Sequence, residues 1–81
     1  MKVTDVRIKR IETEKLKAVA SVTFDEVFVV HDIKIIDGDK GLFVAMPSRK
    51  IDNGVYIDIA HPLNSDFRGY VVEEIMNAYN S

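Results

Sequence analysis

Ten consecutive residues, Val27 to Ile36, carry six β-branched side chains: Val27, Val29, Val30, Ile33, Ile35 and Ile36. β-Branching stiffens χ1 and suits a pleated surface better than a helix. A run this long and this apolar reads as a central strand of a sheet. The rest of the first sixty residues supplies partners for it. Val3 to Ile11 alternates imperfectly, with Val6 and Ile8 on one side and Asp5, Arg7 and Lys9 on the other, as in a half-exposed strand. After a polar connection at Glu12-Thr13-Glu14-Lys15, the apolar series Leu16, Ala18, Ala20, Val22 and Phe24 interleaves with Lys17, Val19, Ser21 and Thr23. The two segments read as a β-hairpin. Asp25-Glu26 turns the chain into the β-branched run.

Asp37-Gly38-Asp39-Lys40-Gly41 is dense in turn residues and supplies glycines for positive φ. Leu42 to Met46 is uncharged and suits a strand covered on at least one face, antiparallel to the one before it. Pro47 cannot donate to a ladder and ends it. Asp52-Asn53-Gly54 is a second turn signal, and Val55 to Ala60 alternates as a final strand. Beyond Pro62 the period changes. Phe67, Val71, Ile75 and Ala78/Tyr79 form one helical stripe. Asn64 or Ser65 caps the helix, and Asp66 suits its positive first turn. Gly69 costs roughly 1 kcal/mol there relative to Ala, which calls for a packing reason. The expected fold is α+β: a five-stranded antiparallel β-sheet followed by a C-terminal α-helix packed on it, as one domain over residues 1–81.

At 81 residues the chain buries only about 60% of the surface it exposes when unfolded. There is no cysteine, hence no disulfide and no Cys-based zinc site. Two histidines make a metal staple a poor prospect, so self-association is the remaining common way to add buried apolar area. The N-terminus lacks the apolar core of a signal peptide, and no run approaches the ~18 apolar residues of a membrane span. The expectation is a cytoplasmic protein with no membrane contact.

Net charge is −2, which argues against a strongly basic nucleic-acid binder. The distribution is uneven. Residues 1–17 hold Lys2, Arg7, Lys9, Arg10, Lys15 and Lys17 against Asp5, Glu12 and Glu14, while the rest of the chain is net acidic. Arg49 and Lys50 follow the strand end at Pro47 and read as a loop-borne cation pair able to grip a phosphate. Ser48, His31-Asp32, Asp58 and His61 contain the residue types of a hydrolase, but no nucleophile-elbow sequence accompanies them. His61, before Pro62, is expected to bond backbone. Asp37-Gly38-Asp39 has half the look of a calcium loop without its later ligands and reads as a turn. Phe43, Tyr56 and Phe67 could stack bases, but core packing is the expectation for all three. Tyr70 and Tyr79 should pack at the edges of the helix stripe.

Several segments go further than composition. Met1-Lys2-Val3-Thr4-Asp5-Val6-Arg7, Phe28-Val29-Val30-His31-Asp32-Ile33, Asp37-Gly38, Gly41-Leu42-Phe43-Val44-Ala45-Met46-Pro47-Ser48-Arg49-Lys50, Asp58-Ile59-Ala60-His61-Pro62-Leu63-Asn64-Ser65 and Arg68 occur in this order. Together they resemble the stage V sporulation protein G (SpoVG) family over nearly the whole chain, most weakly after Gly69. The resemblance implies a small cytoplasmic bacterial protein that forms a homodimer through its sheet. It implies a role in asymmetric septation and sporulation, and regulation through DNA, with RNA in some relatives. It implies no enzymatic activity, no cofactor and no small-molecule substrate. Carried over by position, the family's basic pair falls on Arg49 and Lys50, and the arginine at the start of its helix falls on Arg68. These three are the expected nucleic-acid contacts, with Arg7, Lys9 and Lys17 as support.

Two departures stand out. The first hairpin turn lacks the family's usual glycine at Thr13-Glu14-Lys15. Ile57 replaces a cation beside Arg49-Lys50, which lowers the local positive potential. The Val27–Ile36 strand, or an edge partner of it, is the expected dimer interface. The alternative function is a protein–protein interaction module of the septation machinery without direct nucleic-acid binding.

Overall fold

The computed structural model describes residues 1–81. Four strands, β1 (Val3–Arg10), β2 (Leu16–Phe24), β3 (Phe28–Gly38) and β4 (Gly41–Ala45), pair antiparallel in chain order. The β-branched run lies in β3 from Phe28 on, with Val27 left in the preceding turn, and β3 is hydrogen-bonded to β2 on one side and β4 on the other. Two further short strands, β5 (Ser48–Lys50) and β6 (Tyr56–Asp58), pair only with each other. The chain closes with helix α1 (Ser65–Tyr79).

The expected five-stranded sheet is therefore corrected to a sheet of four plus a separate two-stranded ribbon. Pro47 is the physical reason. It ends the ladder of β4 as expected, but it is buried and turns the chain away from the sheet. The chain then pairs with itself. The Ile59 amide donates to the Pro47 carbonyl at 2.7 Å and closes the base of the ribbon. At its tip the Gly54 amide donates to the Ile51 carbonyl at 3.0 Å, and Gly54 takes φ 81, which glycine adopts without strain. Arg49 and Lys50 thus stand on a strand, not on a loop.

The β2–β3 turn places two non-glycine residues, Asp25 and Glu26, at φ 52 and 59. The N-terminal end of β1 holds it. The Lys2 amide donates to the Asp25 carboxylate at 3.0 Å, and the Glu26 amide donates to the Thr4 hydroxyl, also at 3.0 Å.

One sheet face packs the core. Ala18, Ala20 and Val22 of β2 and Ile33 and Ile35 of β3 are buried against Val71 and Ile75 of α1. Val6, Ile8, Phe67 and Val44 pack at its margin. Asn64 caps the helix, its side-chain oxygen accepting from the Phe67 amide at 2.7 Å. Tyr70 and Tyr79 pack at the stripe's edges as expected. Tyr70 lies beside Phe67, with ring centroids 5.8 Å apart, and the Arg10 guanidinium sits 4.4 Å above the Tyr79 ring. Gly69, by contrast, faces open space, with nothing within 4 Å of a Cβ placed there. No packing reason for it exists in this fold.

The helix crosses β1 and β2. With its side chains a helix is about 10 Å across, so it shields about two strands spaced about 4.8 Å apart. This leaves the inner face of β3 and β4 less covered than the sequence suggests. On that face Leu42 is exposed, whereas Val44 and Met46 are sheltered. An apolar cavity of about 200 Å³ opens beside the helix, lined in part by Phe28, Val30, Ile33, Met46 and Phe67. No helix is long and apolar enough to cross a membrane.

Candidate nucleic-acid interface

The structure sorts the six predicted contact residues into separate places. Arg49 and Lys50 are adjacent on β5, so their side chains leave opposite faces of the ribbon. Arg49 lies opposite Ile57, and Lys50 opposite Tyr56. All six strand residues of the ribbon are exposed. Two cations on opposite faces do not converge on one phosphate. They can instead reach two backbones flanking the ribbon, and a two-stranded ribbon has the width that a major groove admits. Ile57 sits directly across from Arg49, so the missing cation thins the charge on that face alone.

Arg68 is in the first turn of α1 and is half-buried. It forms no ion pair with Asp66 or Asp58. Across the whole chain only two ion pairs occur, Arg7 with Asp5 at 3.0 Å and Arg10 with Glu12 at 3.1 Å. Lys17 folds back on the first hairpin, its Nζ donating to the Thr13 carbonyl at 2.9 Å. Arg7 and Lys9 are on β1, the strand at the opposite end of the sheet from β4. They point away from the helix, in register with Ser21 and Val19 of β2.

That outward face holds residues the sequence reading did not assign to the site. Val19 pairs with Lys34 on its other side, so Lys9, Val19 and Lys34 form one row across three strands. His31 joins the neighbouring row, its Nδ1 2.8 Å from the Ser21 hydroxyl. Lys34 sits inside the β-branched run, where the apolar pattern draws attention to its neighbours. Its pairing with Val19 was available only from the register.

The aromatic expectation divides. Phe67 packs against Phe24, with centroids 5.8 Å apart, but Phe43 is 49% exposed and Tyr56 67% exposed. Neither belongs to the core, because Phe43 points to the sheet face opposite the helix, in register with Ile36, and Tyr56 stands on the ribbon. The hydrolase residues do not assemble. Ser48 faces Asp58 across the ribbon, His61 donates to the Pro62 carbonyl at 3.0 Å, and His31 is engaged with Ser21. The backbone bond of His61 is the one expected. The Asp37-Gly38-Asp39 segment closes the β3–β4 hairpin as a turn, with Gly38 opposite Gly41.

Comparison with known proteins supplies the family of this sheet, helix and ribbon. The family model described as SpoVG matches residues 1–81. The chain belongs to the SpoVG family. Among its relatives, a protein of Alkaliphilus metalliredigens named "Putative septation protein SpoVG" is 61% identical over 80 residues, covering 98% of this chain and 82% of the relative. Proteins of the same name from Agathobacter rectalis and Geobacillus thermodenitrificans are 55% and 56% identical. They are covered over 94% and 84% of their lengths.

Proposed function

We propose that this protein is a nucleic-acid-binding regulator of septation and sporulation that acts as a homodimer. The septation role follows the names of the relatives. One observation carries the nucleic-acid part: an exposed two-stranded ribbon, free of the sheet, presents Arg49 and Lys50 on opposite faces with no carboxylate partner. In this reading the ribbon enters a groove of duplex DNA and its cations contact the backbones on either side. Arg68 adds a third phosphate contact from the start of α1. The helix itself is a packing element, since Glu73 and Glu74 would repel DNA.

The homodimer rests on the small core and on the apolar residues left outside it. Val27, Ile59 and Leu63 are 85%, 65% and 93% exposed, and the cavity lies beside them. Both edges of β3 are taken within the chain, so of its two neighbours β4, one of the sheet's two edge strands, is free to pair with a second copy.

The test is an anisotropy titration of duplex DNA with wild type and Arg49→Ala/Lys50→Ala at two salt concentrations. Saturable binding that weakens with salt and collapses in the double variant is the expected result. Duplex binding that is absent at low salt, with the dimer intact by light scattering, refutes the reading. It would favour the exposed apolar surface as a docking site for protein partners.

A further inference from the structure

We propose that the open face of the four-stranded sheet is a second site, a platform for single-stranded nucleic acid. The proposal rests on the nucleic-acid role above but uses different residues and a different form of the polymer. The face is defined by register. Lys9, Val19, Lys34 and Ala45 form one row across all four strands. Arg7, Ser21 and His31 form the row on one side of it. Leu16, Ile36 and Phe43 form the row on the other. No element packs over these rows, since α1 lies on the opposite face.

Their chemistry matches a single strand. Lys9 and Lys34 are exposed and form no ion pair. They stand two strands apart, roughly 10 Å at ordinary strand spacing. Asp5, one row beyond Arg7, is already paired with it, and Asp32, beside His31 in the β3 bulge, is the one free carboxylate near the row. Phe43 is the diagonal neighbour of Lys34, roughly 7–8 Å away between backbones. Its ring lies against Gly38, where an added Cβ would come within 2.8 Å of the ring. An anchored, half-exposed aromatic beside a row of cations offers stacking for a base and charge for its phosphates. A duplex hides its base faces and gains nothing from Phe43. A second copy of the chain is disfavoured here, because apposing two such faces sets Arg7, Lys9 and Lys34 against their own copies.

The experiment is an anisotropy titration of labelled oligo(dT) and oligo(rU), each about 20 nucleotides long, beside a mixed-sequence duplex of equal length. The proteins are wild type, Lys9→Ala/Lys34→Ala, Phe43→Leu and Arg49→Ala/Lys50→Ala, with folding checked by circular dichroism. Phe43→Leu keeps an apolar cover over Gly38 while removing the π-face. The expected result is a roughly tenfold loss of single-strand affinity in the lysine variant and a roughly fivefold loss in Phe43→Leu. Duplex affinity should fall in the ribbon variant and stay unchanged in Phe43→Leu. Single-strand binding unchanged in both sheet variants overturns the proposal while leaving the ribbon reading standing. So does single-strand binding lost only with the ribbon. A dimer that dissociates in Lys34→Glu by light scattering overturns it in favour of a copy–copy interface. Failure of both polymers to bind overturns both proposals.

Discussion

The Val3 amide donates a hydrogen bond to the Tyr70 hydroxyl at 2.9 Å, joining the first strand to the helix across 67 positions of sequence. Val3 is buried at the start of β1, so its amide is shielded from water that could replace the phenol. Tyr70→Phe keeps the ring against Phe67 and removes only the acceptor. Leaving a buried donor unpaired costs about 1–3 kcal/mol. The expected outcome is a lower urea midpoint at unchanged m-value, with wild-type circular dichroism at low denaturant.

Gly69 lies within α1 with open space where its side chain would be. Gly69→Ala should therefore stabilise the protein by about 1 kcal/mol, by removing backbone freedom from the unfolded chain. For a domain of this size that corresponds to a rise in melting temperature of about 4–8 °C, readable by calorimetry.

Glu26 sits at φ 59 with its amide held by Thr4. A left-handed L-residue costs about 1–2 kcal/mol, of which glycine recovers a part after its own entropy. Glu26→Gly should raise the urea midpoint by the equivalent of about 0.5–1 kcal/mol. Thr4→Ala should lower it by removing the hydroxyl that receives the Glu26 amide.

Because Arg49 and Lys50 leave opposite faces of the ribbon, their effects on duplex binding should be independent. Each alanine substitution is expected to flatten the slope of log affinity against log salt by about 1, and the double variant by about 2. Titrations over a salt series check this. A joint grip on one phosphate would instead make either single variant as damaging as the pair.

Period was enough to read most of the fold. The alternation of Leu16–Phe24 and the stripe Phe67–Val71–Ile75 each marked an element and its buried side, while the β-branched run marked a central strand without its buried face. Residue type narrowed the cap to Asn64 or Ser65, and the bond from the Phe67 amide selects Asn64. Ser48–Lys50 escaped because three polar residues after a proline carry no alternation, and their pairing depends on a turn that brings Tyr56–Asp58 back. Burial of Phe43 and Tyr56 was expected from their apolarity alone, but Phe43 falls on the face opposite the helix through its register with Ile36, and Tyr56 falls on the ribbon outside the sheet. At the candidate site the cations were legible by identity and not by grouping. Lys9 and Lys34 are far apart in sequence, and their shared row follows from two hairpin registers, both of which shift along their length, the β2–β3 pair between Ala20 and Val22 among other places.

The ribbon is tied to the rest of the chain at its base, through buried Met46 and Pro47 and the bond from Ile59 to Pro47. An isolated two-stranded hairpin is marginal in water. Its amides will therefore exchange with solvent through local opening, at a free energy well below that of global unfolding. Substitutions that strengthen the core will slow exchange in β2 and β3 and leave β5 and β6 as they were. A partner that clamps the ribbon will do the reverse, registering first as protection of the Arg49 and Lys50 amides.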